Sequence, residues 1–592
     1  MGAPLKADFR TLMVRTAALS FTALAALTAT SLLAEAAIQD GVDLWDVVRG
    51  VLIFVTTAWL AWGASLSFVG LWPMRAKPVP DLQGPQPPLV ILMPICNEDP
   101  VSTFARIAAM DRSIREAGLT ADIAILSDTR DEAAALRERH VYVRLLRQTN
   151  GAGRIFYRRR LDNRGRKAGN IEEFIRSSGA AYDFAVILDA DSLMEGAAIR
   201  QMLARMQADP KLGLLQTLPK IIGARSFFGR AMQFAAGFHG PVFTRGLARM
   251  QGQTGPFWGH NAIIRVRAFA ESCGLPELSG RPPFGGHILS HDYVEAALLA
   301  RAGWSVQVDG SIEGSFEEGP ENLLAFAKRD RRWCQGNLQH SRLLFAPGLS
   351  AWSRFVFLQG IFAYLVSVLW GAFLIASIVA TIAAPLPNYF PEPHLLFPVF
   401  PDDRTKEITA LVFGIAGLLV LPKLAILIGA AVSGRVRGFG GTDRAAASVA
   451  VEILLSSLLA PVMLLYQGRA VFQVLIGYDG GWPANQRGEG RLSLTQGLRA
   501  GLWISAIGAA ALALVARIAP ELALWLMPVS LPMLAAPLLI ALTSRPLTRS
   551  VFITPGEGEP SPVTRDYRAI VARWEQGEDV QTALPEGADV AL

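Results

Sequence analysis

Val186-Ile187-Leu188-Asp189-Ala190-Asp191 is an apolar run that ends in two carboxylates. Residues i and i+2 of an extended chain project to the same side, so Asp189 and Asp191 can approach one cation together. Hard cations such as Mg²⁺ or Mn²⁺ prefer oxygen donors and commonly keep substrate phosphates in their shell. The pair is therefore suited to neutralising the diphosphate of a nucleotide sugar. A DxD alone is weak, because surface turns also carry paired aspartates, so its neighbours decide the reading.

On either side of that run, short apolar stretches (Leu89 to Met93, Ile123 to Leu126, Leu212 to Gln216) alternate with helical patterns such as Ile171 to Ser178 and Ile199 to Gln207. Such alternation predicts βαβ units around a mostly parallel sheet, an α/β fold in which ligands bind at the carboxyl ends of strands. Polar groups gather at those ends. Leu126-Ser127-Asp128 closes one strand, and Pro94-Ile95-Cys96-Asn97-Glu98 closes the first. Lys167-Ala168-Gly169-Asn170 sets a cation beside a glycine, which lets backbone approach phosphate. Ser290-His291-Asp292 opens an amphipathic helix, and Arg331-Arg332-Trp333 completes the set.

The rest of the chain has a different character. Of 592 residues 51% are hydrophobic and 18% charged, with the apolar residues in long blocks, a membrane composition. The net charge of +6 reads as Arg- and Lys-rich cytoplasmic loops rather than a nucleic-acid site. The run Arg154 to Lys167 reads as a solvated basic face beside the phosphate site. Cys96, Cys273 and Cys334 form no zinc-ligand pattern and are expected as thiols, and His287 and His291 lack the intervening carboxylate of a HExxH site.

Thr16 to Ile38 and Val51 to Trp72 are each long enough to cross the hydrocarbon. Lys6, Arg10 and Arg15 precede the hairpin, Arg75 and Lys77 follow it, and the link around Glu35, Asp40, Asp43 and Asp46 is acidic, so the positive-inside rule puts both flanks in the cytoplasm. A cleaved signal peptide at Ala34-Glu35-Ala36 is the alternative. Further spans are expected at Phe355 to Ala384, Thr409 to Gly434, Ala447 to Gly477, Gly501 to Ile518 and Leu522 to Thr543. Arg435, Arg437 and Arg444 mark one cytoplasmic loop and Arg487, Arg491 and Arg499 another, so Ala447 to Gly477 must enter and leave on one side. It reads as a re-entrant pair broken near Pro461 or Gly468. Lys423, Glu452 and Arg469 fall in or near these spans, either lining a hydrophilic path or snorkelling. The resulting division is 1–85 hairpin and linker, 86–350 soluble domain, 351–545 membrane region and 546–592 a loosely ordered tail.

The strand-end carboxylates, in this order, resemble those of the processive inverting family-two glycosyltransferases, the group of cellulose and hyaluronan synthases. Leu126-Ser127-Asp128-Thr129, Gly259-His260-Asn261-Ala262-Ile263-Ile264-Arg265, Ser290-His291-Asp292 and the run Lys328 to Asn337 look most like the synthases of osmoregulated periplasmic glucans. The likeness covers essentially the whole chain. His-Asp replaces the Glu-Asp of the cellulose synthase TED triad and Arg329 stands where QxxRW begins with Gln, which speaks against a cellulose product. Phe552-Ile553-Thr554-Pro555 has only a loose likeness to the FxVTPKG loop of cellulose synthases and receives no role.

The resemblance implies a GT-A-type domain on about seven or eight membrane helices. It puts Pro94, Asn97, Glu98 and Asp128 near the uridine, Asp189 and Asp191 on diphosphate and metal (Mg²⁺ or Mn²⁺), and Lys167 and Arg332 on the leaving diphosphate. Asp292 becomes the general base, its rival role being an N-cap for a helix beginning near Tyr293. Trp258, His260, Asn261 and Trp333 are assigned to the acceptor, with Trp333 alternatively an interfacial anchor. The implied enzyme polymerises glucose from UDP-glucose into a largely β-1,2-linked glucan and moves it across the bacterial inner membrane, its catalytic domain and both termini cytoplasmic. Its partners would be the growing glucan, the bilayer and a periplasmic glucan-processing protein, not nucleic acid. Competing readings are another β-glucan synthase, a lipid-linked sugar transferase and a non-catalytic UDP-sugar sensor. Retention of Asp189, Asp191 and Asp292 argues against the last.

Overall fold

The computed structural model describes the chain from Leu5 to Gln576 except residues 6, 39–41, 74–77, 79, 384–396, 398–404, 481–489 and 548–550. Lys6, Asp40, Arg75, Lys77 and Arg487, used above as topological markers, lie outside the described residues, as does the tail beyond Gln576. Helices α1 (Phe9–Ile38) and α2 (Leu44–Leu71) come first. An α/β body follows: β1 (Leu89–Ile95), α3 (Pro100–Glu116), β2 (Asp122–Ser127), α4 (Glu132–Thr149), β3 (Ile155–Arg159), α5 (Arg166–Ser178), β4 (Phe184–Ile187), β5 (Leu193–Met194), α6 (Gly196–Ala208), β6 (Leu212–Thr217) and β7 (Lys220–Ile222). It continues with α7 (Phe227–Phe238), α8 (Gly240–Gln251), β8 (Ala262–Arg265), α9 (Val266–Ser272), α10 (His291–Arg301), β9 (Ser305–Asp309), β10 (Ser315–Glu318) and α11 (Leu323–Gln339).

The main sheet runs β3-β2-β1-β4-β8-β6-β9, and β5-β10-β7 form a smaller one. In the main sheet every neighbouring pair is parallel except those of β8, which is antiparallel to both β4 and β6. Alternate residues of β1 enter opposite cores, Leu89, Ile91, Met93 and Ile95 packing with α3 and α6, and Val90 and Leu92 with α5 and α9. Strands covered on both faces need apolar residues at every position, which is why they read as continuous runs. The chain leaves β1 toward β2 and β3 on one side and reaches β4 on the other. The crevice at that reversal is where an α/β sheet offers its strand ends to a ligand, and Asp189 follows β4.

Beyond the body come α12 (Ala351–Ala383), α13 (Thr405–Val432), α14 (Thr442–Leu475), α15 (Leu494–Ile518), α16 (Pro520–Leu534), α17 (Ala536–Thr543), α18 (Pro555–Gly558) and α19 (Pro562–Glu575). Among the described residues six helices are long and apolar enough to cross a membrane, or seven if Leu522–Leu534 and Ala536–Thr543, bent by 51°, count as one span. The upper count meets the lower end of the expected seven or eight. The expected break in Ala447 to Gly477 is absent: α14 runs unbroken through Pro461. The interruption lies instead at Ala535, between α16 and α17, where Pro537 has no N–H to carry the hydrogen-bond ladder of α16 onward.

Both ends of α14 nonetheless bond to elements on the body's side. Near its start Ser448 Oγ accepts the Phe552 N–H at 3.1 Å, and Glu452 lies 3.8 Å from His239 at the α7–α8 elbow. Near its end Gln467 donates to Asp330 at 3.0 Å and Gln473 accepts from Arg331 at 3.2 Å, while Asp479 beyond it accepts from Gln335 at 2.8 Å. A helix of 34 residues is about 51 Å long, so one that crossed a bilayer would carry one end far from the body. This one lies along it. Within this layer Lys423 binds both Glu452 oxygens at 2.8 Å, so neither group snorkels, and the Arg469 guanidinium lies 5.5 Å from the Trp503 ring centroid.

The hairpin and the tail are both fastened to the body. A Cβ at Gly70 would fall 1.9 Å from Val242 O, and one at Gly246 1.9 Å from Leu66 O, so α2 and α8 meet backbone to backbone. Arg15 donates to Met250 O at 2.7 Å, which puts the start of α1 on the body's side. The described residues between Ser544 and Gln576 pack on the body, where a loosely ordered tail was expected. Pro546 bridges Ser226, Phe552 is fully buried, and α19 buries Val563, Ile570 and Trp574 against α3 and α4. Val563, Tyr567, Ile570 and Trp574 repeat at helical spacing on one face, a pattern that the polar composition of the segment obscured.

Candidate active site

Asp189 N–H donates to Ser192 Oγ and Ser192 N–H to Asp189 O, each at 2.9 Å, closing a tight turn that fixes both carboxylates. Asp191 is buried, at 8% exposure. Lys167, in the first turn of α5, forms an ion pair with Asp189 and donates to Gly259 O at 2.6 Å. The glycine that follows it has a steric role in its turn. A Cβ at Gly169 would sit 2.1 Å from Arg164 O, so Gly169 lets the 164–169 turn close on itself.

Gly259 takes φ +84°, and a Cβ there would come within 3.6 Å of the Asp292 Cβ. Its loop thus connects the Lys167–Asp189 pair to Asp292. Ser290 is the N-cap of α10 and His291 its first residue, which places Asp292 inside the first turn and removes the capping role. Burial pushes the Asp292 carboxyl up from its ordinary value, against the opposing charge of His291. His291 Nδ1 lies 3.0 Å from Glu295 Oε2.

The acceptor candidates separate. The Trp258 N–H donates to Gln216 Oε1 at 2.9 Å, and its half-buried ring belongs to the loop that reaches Asp292. His260 Nε2 lies 3.5 Å from Glu317; burial disfavours its charge, but Asp189 and Glu317 raise its pKa on balance. Asn261 is fully buried and donates to Ser315 Oγ at 2.8 Å and Phe316 O at 3.2 Å. Its side chain holds the loop on β10 and does not face an acceptor.

At the ends of β1 and β2, Asn97 is exposed at φ +60° with its N–H on Thr129 Oγ1 at 2.8 Å, and Glu98 accepts the Cys96 N–H at the turn after Pro94. Asp128 is 5% exposed and held by Arg160 through two contacts of 2.5 and 2.9 Å and by Asn170 at 2.8 Å. Arg160 also donates to Arg164 O at 3.0 Å and Arg166 O at 2.6 Å, tying Asp128 to the loop that delivers Lys167. The basic run is therefore no solvated face. Arg158 bonds Asn170, Arg159 pairs with Glu132, and Arg160 with Asp128. The sequence reading missed Arg160 and the buried Glu138, which accepts from Ser127, Thr129 and Tyr157.

Helix α11 is clamped to the segment that carries Asp292. A Cβ at Gly336 would meet Ser290 N and Cβ at 2.9 Å, His340 Nε2 lies 2.8 Å from Ser290 O, and Gln339 accepts the Leu289 N–H at 3.0 Å. Arg332, half-buried, stands four residues before Gly336 and so on the same helix face. Trp333 is 43% exposed, with the Arg329 guanidinium 4.6 Å from its ring centroid.

Among the described residues no three His, Cys, Asp or Glu side chains gather as a self-sufficient metal cage. Asp189 and Asp191 still fit a hard cation. Two carboxylate donors leave the remaining positions to phosphate and water, as Mg²⁺ and Mn²⁺ prefer, and the ammonium of Lys167 already seeks Asp189.

Comparison with known proteins identifies the family. Residues 184–422 match the model of glycosyl transferase family group 2 and residues 90–272 that of glycosyl transferase family 2. The glucans biosynthesis glucosyltransferase H of Cereibacter sphaeroides is 57% identical over 544 residues, 91% of each chain. That of Rhodopseudomonas palustris (strain BisA53) is 43% identical over 88% of this chain and 75% of its own. That of Caulobacter vibrioides is 41% identical over 82% of this chain and 75% of its own. A mannosyltransferase of Pyrobaculum calidifontis, solved with GDP-Man and Mn²⁺, aligns at 15% identity and a TM-score of 0.42 over 66% of this chain and 98% of its own. With a mixed α/β glycosyltransferase body, a layer of apolar helices and this identity along nearly its whole length, the chain belongs to the glucans biosynthesis glucosyltransferase H family of family-two glycosyltransferases.

Proposed function

We propose that the enzyme transfers glucose from UDP-glucose to the end of a growing β-glucan, largely β-1,2-linked, with inversion at the anomeric carbon. The observation that carries this is the line from Asp189 through Lys167 and Gly259 to Asp292, which sets a diphosphate site beside a half-buried carboxylate. An acceptor hydroxyl oxygen attacks the anomeric carbon while Asp292 takes the hydroxyl proton. The new C–O bond forms as the bond to the β-phosphate oxygen breaks, and UDP leaves from the opposite face. Lys167 and Arg332 offset charge on the departing diphosphate. A divalent cation held by Asp189 and Asp191 supplies the rest of that neutralisation when bound. Trp258 and Trp333 offer apolar faces to the acceptor sugar, with His260 beside them.

The start of α1, both flanks of α14 and the tail lie with the body, and Arg residues concentrate there, which supports a cytoplasmic catalytic domain in the inner membrane of a Gram-negative bacterium. The helical layer would pass the product outward. The test offers UDP-glucose, UDP-galactose and GDP-mannose to protein in proteoliposomes. Linkage analysis is then made of polymer inside and outside the vesicles. Polymer made from UDP-glucose alone, β-1,2-linked and across the membrane from the donor, is expected; incorporation of another sugar, another linkage, or product only on the donor's side would overturn the corresponding clause.

A further inference from the structure

Arg106 of α3 is a 3%-exposed cation that the mechanism above does not use. Its Nη1 donates to Ala190 O at 3.4 Å, the carbonyl between the two aspartates, and to Ser102 Oγ at 2.7 Å, while Nη2 reaches Glu318 Oε1 at 2.6 Å on β10. β10 pairs with β5, which directly follows the Asp189–Asp191 turn. The guanidinium is covered by the tail: the ring of Tyr567 lies 4.6 Å from it, and the Tyr567 hydroxyl is 3.1 Å from Ser102 Oγ. The helix bearing Tyr567 is secured further along by Trp574, whose indole donates to Gln148 at 2.6 Å and whose carbonyl accepts from Arg144 at 2.9 Å.

We propose that Arg106 and Tyr567 are positioning residues for the aspartate turn, and that α19 is thereby a part of the donor site although it lies behind the sheet. Arg106 fixes the Ala190 carbonyl and with it the directions of the flanking carboxylates. Tyr567 holds Arg106 in that orientation by covering its face and excluding water. The inference rests on the reading of Asp189 and Asp191 as ligands of the donor's cation.

The test is calorimetric binding of UDP to the purified full-length protein across a range of Mn²⁺ concentrations, with glucose transfer and thermal midpoint measured in parallel. Loss of a group that orients a metal's ligands typically costs 10–100-fold in affinity. Tyr567→Ala and Arg106→Lys are each expected to raise the Mn²⁺ needed for half-maximal UDP binding about tenfold or more. Tyr567→Phe keeps the ring on Arg106 and restores the wild-type dependence. Should Arg106→Lys fail to fold, the half-buried Tyr567 carries the test alone. Wild-type Mn²⁺ dependence in Tyr567→Ala, with Asp191→Asn strongly shifted, overturns the positioning role and leaves the metal reading intact. An unshifted Asp191→Asn overturns the metal reading and the positioning role with it.

Discussion

Asp292 joins two effects that a single substitution separates. Its pKa is raised chiefly by burial, so folding favours the protonated form. The associated stability is full below the unfolded-state value and is lost as pH rises through the folded one. Asp292→Asn removes that cost at neutral pH. It is expected to melt above wild type at pH 7, with the gap closing below about pH 4, the range of an ordinary aspartate, while transfer falls by about 10²-fold or more. Thermal melts over a pH series and a rate measurement check both; a lower melting point at neutral pH contradicts the burial argument. Arg160→Ala strips a buried partner from Asp128 and is expected to destabilise by about 3–5 kcal/mol, read by denaturant or thermal unfolding. At this scale the strand-end aspartates stood out only as a set, because one carboxylate pair after an apolar run is also what a surface turn offers, whereas several strands ending in polar groups point to one sheet edge. Arg160 did not, since a basic run gives no sign of which member turns inward.

Elements are positioned here by close backbone contacts. Gly336→Leu forces α11 away from Ser290, so it is expected to lower kcat with a smaller change in donor KM, at a stability cost of about 1–3 kcal/mol. Steady-state kinetics across donor concentrations decide it, and an unchanged kcat would show that α11 does not set the Asp292 end of the site. Gly246→Val sits far from the chemistry, where α8 meets Leu66, and is expected to loosen the body from the hairpin and raise protease sensitivity near Pro73. The parallel sheet could be read from the sequence because its strands are apolar throughout. The α19 helix could not, because its four apolar positions are diluted by charge and its partner α3 lies more than 400 residues earlier. Helix α14 misled at its middle: Pro461 and Gly468 suggested a break, and the helix runs on through both.

Taken whole, the molecule is an α/β enzyme pressed against a helical layer, with the start of α1, both flanks of α14 and the tail on the enzyme's side. In an otherwise cysteine-free chain, cysteines at Gly441 and Tyr478 are therefore expected to label from the same face of sealed vesicles; labelling from opposite faces would make α14 a span. The measurement that bears most directly on the account is incorporation of radiolabelled glucose from UDP-glucose by purified protein with Mg²⁺, wild type beside Asp292→Asn. Polymer from wild type and none from the variant, with UDP binding retained in both, is the predicted result. Polymer from Asp292→Asn at a rate near wild type, or UDP-glucose binding without polymer from wild type even when primer and lipid are supplied, would contradict it.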